Sequence, residues 1–419
     1  MLINLLKLFV LASIILMLDY CFIQENIRIT TLAICLLIVF YYFDRFVIKR
    51  ERIFYLEKNT SKIIKAAFIF ISYIFFIDLY HGQEVYKTIV SAFSSVIMVI
   101  LLPIYEDRKT HYNIVRHFQL LMIVSMTFAL IQFIKHDNNI ILSNIISGFS
   151  LISVDQNVDL NQFSNYDFRI NGATSNNIAF TLQVSIFIII ECTKFMKISS
   201  FKALFGMIAS FIILIMTQTR AAIFSIAPII LATQIMFARV QKKYQRATKI
   251  IIWVVFIGIG YWILESLVLQ KMTYISRNIM EHDTSRFYAN WYMSIGVLKE
   301  SPLFGIAPNS AWDIYFKYGD LLQYGYNPFL ETPTHHNQVG FYLRYYGLIG
   351  IGLLCWLYVL IFQKIIRAKS FWVGMAICSI FILDLVFSMA HNNKLITSPL
   401  LWIFLSLASI DSNKEKEPF

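Results

Sequence analysis

The chain has 419 residues, of which 58% are hydrophobic, 16% aromatic and 15% charged, and its mean hydropathy is +0.63. Soluble domains are about 45–50% apolar, so this composition excludes a soluble globular protein and describes a polytopic membrane protein. The five cysteines, Cys21, Cys35, Cys192, Cys355 and Cys378, lie in or beside apolar runs without CxxC spacing; they read as small hydrophobes and imply no disulfide or zinc framework.

Twelve apolar runs follow one another, at 3–23, 29–47, 63–80, 88–105, 117–134, 172–193, 203–217, 221–238, 250–267, 345–362, 370–387 and 395–410. Several are short for a bilayer core of about 30 Å. The first has no small-residue cleavage site after it, only Asp19, Tyr20 and Cys21, and is expected to be retained as a helix. Alternate connections differ in charge: 48–65, 106–117, 194–202, 239–249 and 363–369 hold 20 Lys and Arg, and the opposite short connections, 24–28, 81–87, 135–171, 218–220 and 388–394, hold 6. Basic short loops stay cytoplasmic, which places both termini in the cytoplasm and the turn at Arg220 outside. The net charge of +11 is therefore mostly a topology signal, and no nucleic-acid partner is expected. We expect an all-α integral membrane protein of about twelve transmembrane helices, residues 1–419 forming one polytopic domain with a cytoplasmic tail at 411–419.

Two outward segments are long. Residues 135–171 contain the moderately apolar Ile140 to Val154 and end in Asp167-Phe168-Arg169-Ile170-Asn171-Gly172. Residues 268–335, between the ninth and tenth runs, are expected to form a helical cap on the outward side. In it, Asp283 or Thr284 can cap a helix that runs to about Lys299 and stops at Ser301-Pro302. Phe287, Trp291, Ile295 and Leu298 form an apolar stripe, with Arg286 and Asn290 on another face, as suits a helix at the interface or against the bundle. The aromatics that follow, Trp312 to Phe329, serve either as interface anchors or as sugar-stacking surfaces.

Arg220 lies in Thr217-Gln218-Thr219-Arg220, a polar interruption between two apolar runs. A charge there either reaches the interface, pairs, or serves a function. Arginine suits phosphate because its planar fork donates two parallel hydrogen bonds and stays charged; Arg220 and Arg286 can together hold a pyrophosphate. His336 begins an apolar-rich helix and is either a structural histidine or a base near neutral pH. His282, His335 and His336 lack metal-ligand spacing, so no metal site is expected. Arg344, two helical turns after His336, either faces the same groove or pairs structurally. Arg169 and Lys394 are further outward cations, and Lys394 sits in a short turn where a second phosphate contact is conceivable. Glu191, Glu265 and Asp384, in or near span ends, read as interhelical hydrogen-bonding groups.

Four stretches carry a resemblance. They are Ile215-Met216-Thr217-Gln218-Thr219-Arg220-Ala221-Ala222; Ser285-Arg286-Phe287 through Trp291 to Glu300-Ser301-Pro302-Leu303-Phe304-Gly305; His336-Asn337 with Gly347-Leu348-Ile349-Gly350 nine residues on; and Arg169-Ile170-Asn171-Gly172-Ala173-Thr174. In order and spacing they resemble the O-antigen ligase/polymerase superfamily, most closely the lipopolysaccharide ligase branch. The resemblance implies a glycosyltransferase in the inner membrane of a Gram-negative bacterium, with its site on the periplasmic face. It would move a glycan from undecaprenyl pyrophosphate to the lipid A–core oligosaccharide, inverting and without metal or other cofactor. By position Arg220 and Arg286 would bind the donor pyrophosphate and offset leaving-group charge, and His336 would activate or orient the acceptor hydroxyl. Asn337, Arg344, Arg169 and Lys394 would be substrate-binding. Ligases often continue after the second glycine with Thr-Val where this chain has Ile351-Gly352. The alternatives are an O-antigen polymerase using the same donor, a lipid-linked glycan transporter, and a non-catalytic membrane assembly protein.

Overall fold

The computed structural model describes residues 2–16, 21–23, 27–48, 57–106, 111–137, 152–154, 170–173, 177–217, 219–240, 294–307, 337–390 and 398–410. Its body is helical: α1 (Leu2–Ile15), α2 (Ile29–Phe43), α3 (Lys58–Tyr80), α4 (Val85–Tyr105), α5 (His111–Lys135), α6 (Asn177–Ile198), α7 (Phe201–Met216), α8 (Arg220–Val240), α9 (Gln338–Ile366), α10 (Phe371–Ala390) and α11 (Pro399–Ser406). Seven helical segments among the described residues are long and apolar enough to cross a membrane, and four shorter apolar helices accompany them. This is the build of a multi-pass membrane protein.

In α3 the buried residues Ile63, Ala66, Ala67, Phe70 and Ile71 recur at the i, i+3, i+4, i+7, i+8 spacing of a single helix face. Around the same helix Phe68, Ile69 and Phe76 are exposed, which is a lipid-facing surface rather than a polar one. The interior helices differ: 83% of the apolar window of α10 is buried, and 72% of that of α6. α10 packs on α6, α8, α9 and α11, and α3 bridges α4 and α9.

Contacts fix which helix ends meet. Lys364, late in α9 and fully enclosed, holds its ammonium within hydrogen-bonding distance of Glu57 at 3.1 Å, Glu106 at 2.6 Å, the Thr60 hydroxyl at 2.8 Å and the Ser409 hydroxyl at 2.7 Å. One lysine thus ties the start of α3, the end of α4, the end of α9 and the turn after α11. The Tyr105 hydroxyl, at the end of α4, donates to the Lys7 carbonyl of α1 at 2.7 Å. The first and last helices therefore present their outer termini to this end, hereafter the knot end. At the opposite end, Tyr346 in the first part of α9 donates to Asp78, late in α3, at 3.0 Å.

The structure also adjusts expected boundaries. The first apolar run was expected to continue to residue 23, but α1 ends at Ile15, and Cys21–Ile23 is β1 of a small antiparallel sheet. Its order is β2-β1-β3, with β2 Ile27–Arg28 and β3 Ile152–Val154; Phe22 lies opposite both Arg28 and Ser153. Strands of two or three residues are too short for an alternation signal, so apolar composition concealed them. α6 is Asn177–Ile198, and residue 172, where the run was expected to begin, lies in a turn at φ +65°. α9 begins at Gln338, seven residues before the apolar run 345–362, because its first turns carry Gln338 and Arg344 among the apolar residues. The expected run 250–267 and the tail 411–419 lie outside the described residues, as does most of the 268–335 segment.

Candidate functional site

The Glu300–Gly305 and Gly347–Gly350 stretches fit into one another. Residues 294–300 are helical and stop as expected, with the Ser301 N–H bonded to the Val297 carbonyl at 2.8 Å. The chain then lies across a break in α9, where Gly347 has φ +62° and ψ −162°, a combination open essentially to glycine alone. The Leu348 N–H donates to the Pro302 carbonyl at 2.9 Å, and the Ile306 N–H donates to the Arg344 carbonyl at 2.8 Å. A Cβ on Gly347 would stand 2.3 Å from the Leu303 carbonyl carbon, and one on Gly305, at φ +72°, 2.4 Å from the Arg344 carbonyl oxygen. Each glycine is required twice, by its dihedral and by the backbone it touches. Tyr73 of α3 completes the joint, donating its hydroxyl to the Tyr346 carbonyl at 2.8 Å. A helix interrupted this way needs partners for the carbonyls and N–H groups it frees, and the 301–306 backbone supplies them.

A second joint forms where α6, α7 and α8 meet. The Asn177 side chain donates to the Thr217 carbonyl at 3.0 Å and accepts from the Thr219 hydroxyl at 3.0 Å, and the Thr181 and Thr219 hydroxyls are 3.0 Å apart. The Thr219 carbonyl receives the N–H groups of Ala222 and Ile223 at 3.1 and 3.2 Å, so the turn delivers Arg220 as the first residue of α8. Nearby, Gln132 of α5 grips the Asn171-Gly172 turn. Its amide oxygen accepts both N–H groups at 2.9 Å and its amide nitrogen donates to the Gly172 carbonyl at 2.8 Å. The Ser125 hydroxyl accepts from Ala173 at 3.1 Å. A Cβ on Gly172 would meet the Phe180 ring at 2.4 Å. Gln132 and Thr219 are buried, where a hydrogen bond left unmade would cost about 1–3 kcal/mol.

Of the sequence-derived site residues, Arg220 opens α8. Its side chain lies outside the described residues, as do Arg169, Arg286, His336 and Lys394. Asn337 is buried and acts as the N-cap of α9, its side-chain oxygen accepting from Val339 at 2.9 Å and Gly340 at 3.2 Å. That oxygen is engaged by the helix, which gives Asn337 a structural task beside the substrate contact expected for it. Arg344 is fully buried and hydrogen-bonds Tyr345, while its carbonyl holds Ile306. It braces the joint between the two glycines. Glu191 and Asp384 act as the interhelical groups expected of them: Gln119 of α5 donates to Glu191, and Ser398 donates to Asp384 at 2.9 Å.

Sequence reading missed Tyr73, Asp78, His81 and Gln132, which lie in spans or a short loop with no motif around them. His81 follows α3 at the end where Tyr80 packs near Phe304, with ring centroids 6.5 Å apart. Burial holds its imidazole below the usual histidine range, so it is neutral at neutral pH. Its Nδ1 has no hydrogen-bond partner among the described residues. The described residues contain no group of three or more His, Cys, Asp or Glu able to hold a metal.

No family model matches the chain, and a comparison with curated proteins returns no match.

Proposed function

We propose that this chain is a membrane glycosyltransferase of the O-antigen ligase type. It would transfer O-antigen from undecaprenyl pyrophosphate to the lipid A–core oligosaccharide at the periplasmic face of a Gram-negative inner membrane. The observation that carries the reading is a shared end of the bundle. Stretches singled out for their resemblance, 170–173, Thr217 with 219–220, 300–305 and 347–350, lie at or against helix ends opposite the knot end, held there by the two joints. In the proposed reaction the acceptor hydroxyl oxygen attacks the anomeric carbon as the bond to the pyrophosphate oxygen breaks. The hydroxyl proton passes to His336, and undecaprenyl pyrophosphate leaves with its charge offset by Arg220 and Arg286.

The twelve-pass reading draws support from parity. α8 runs toward the knot end, where Phe237 packs on Phe371 at the start of α10. α9 begins at the opposite end and reaches the knot at Lys364. An odd number of crossings between Val240 and Gln338 would join those two ends, and the run 250–267 would supply one. The described helix ends that flank the basic loops also fall at the knot end, which would be the cytoplasmic side by the positive-inside rule.

The test is transfer in detergent. Purified protein, undecaprenyl-pyrophosphate-linked glycan and rough lipopolysaccharide, with chelator and no nucleotide, should yield coupled lipopolysaccharide. Arg220→Ala and Arg286→Ala should abolish it while the protein still inserts, and Arg220→Lys should restore little because the two-pronged contact is lost. Silence from the wild type with a donor shown to be active would reject the reading. A product elongated on the lipid carrier alone would assign polymerase activity instead.

A further inference from the structure

A groove of about 820 Å³ runs along the outside of the bundle between α5, α6 and α7. Its α5 wall is one helix face from Arg116 to Leu130, roughly 21 Å at 1.5 Å per residue, about the depth of one lipid leaflet with its headgroup. The lining is graded. Toward the ends of α5, α6 and α7 nearest the knot it carries Arg116, Lys194 and Lys202; deeper in the membrane it is Ile123, Leu130, Phe187 and Ile213.

The acid in the groove is already engaged. Gln119 donates to Glu191 and accepts from Lys194 at 2.5 Å, so these three form one closed group. Arg116 and Lys202 remain, both exposed at the mouth and forming no ion pair among the described residues. Leu120, Ile123 and Phe205 beside them are more than half exposed. Two cations at headgroup depth over an apolar channel match one kind of molecule, a phospholipid with a net negative headgroup and its acyl chains in the groove.

We propose that the α5–α6–α7 groove is a binding site for an anionic glycerophospholipid, its phosphate held by Arg116 and Lys202. The site is independent of the transfer reaction and lies toward the other end of these helices. Native mass spectrometry of the full chain, released from nanodiscs of phosphatidylglycerol mixed with phosphatidylcholine, tests it. Phosphatidylglycerol should be retained about tenfold over phosphatidylcholine, and the Arg116→Gln/Lys202→Gln double variant should bring the two lipids to parity. Lys62→Gln/Lys65→Gln removes the same charge from exposed positions of α3 at the same end and should leave the preference intact. Parity in the wild type, or equal loss in both double variants, would overturn the site; the latter would reduce the effect to general surface attraction.

Discussion

The two ends of this bundle are held by opposite means. At the knot end one enclosed ammonium gathers two carboxylates and two hydroxyls from four parts of the chain. At the other end α9 is held chiefly through backbone, with Gly305 and Gly347 admitting main chain where any side chain would collide. A charge knot tolerates shape changes but depends on protonation and on every partner being present. A backbone joint ignores pH but tolerates no added atom. The end proposed for chemistry is thus held by shape rather than by charge.

The comparison can be broken most sharply at Gly347. Gly347→Ala places a methyl 2.3 Å from Leu303 backbone and forces a dihedral pair that alanine avoids, and we expect a loss of about 5 kcal/mol. Thermal unfolding in detergent should show it, and a melting temperature within two degrees of wild type would refute the joint. Lys364→Met should cost about 3 kcal/mol, because Glu57 and Glu106 then face each other without their counter-ion. Adding Glu106→Gln should recover part of that loss, measured by the same melt.

Asn337→Ala removes the cap of α9 and should cost about 1 kcal/mol. Asn337→Asp and Asn337→Ser should preserve stability, so any transfer activity lost in those variants with an unchanged melt would separate a substrate contact from the cap. The smallest effect is at Glu57. Burial raises its carboxyl, but Lys364, Ser409 and Lys369 outweigh this and leave it below its ordinary value of 4.5. Between the folded and unfolded values the unfolded chain binds more protons, so the contribution is present above 4.5 and is lost as pH falls through the folded value. Melting followed against pH should fall more steeply for wild type than for Glu57→Gln below that point, and identical slopes would remove Glu57 from the knot.

Composition made the helical body legible, because a run such as 63–80 buries one face and offers lipid another with the same residue types. It could not reveal where a helix breaks. Gly347 sits among apolar residues that read as continuous span, and its positive φ follows only from the 301–306 segment lying across it. The Thr217–Arg220 stretch was recognisable as a polar interruption, but Asn177, the residue that fastens it, has no distinguishing neighbours. Asn337 shows a signal that was present and read otherwise: an asparagine just before an apolar-rich helix is a capping residue. The knot was hidden because Lys364, Glu57, Glu106 and Ser409 sit in four separate loops or helix ends, each ordinary alone.

Tyr346 reaches Asp78 across 268 residues of chain. At roughly 5–20 residues per second, α3 waits on the order of 10 to 50 seconds in the membrane before its partner is made. The early hairpins must persist on their own contacts during that time, and the glycine joint closes only once Gly347 and Leu348 have been made. A product that stops before Gly347 therefore lacks the joint altogether and keeps α3 without its partner.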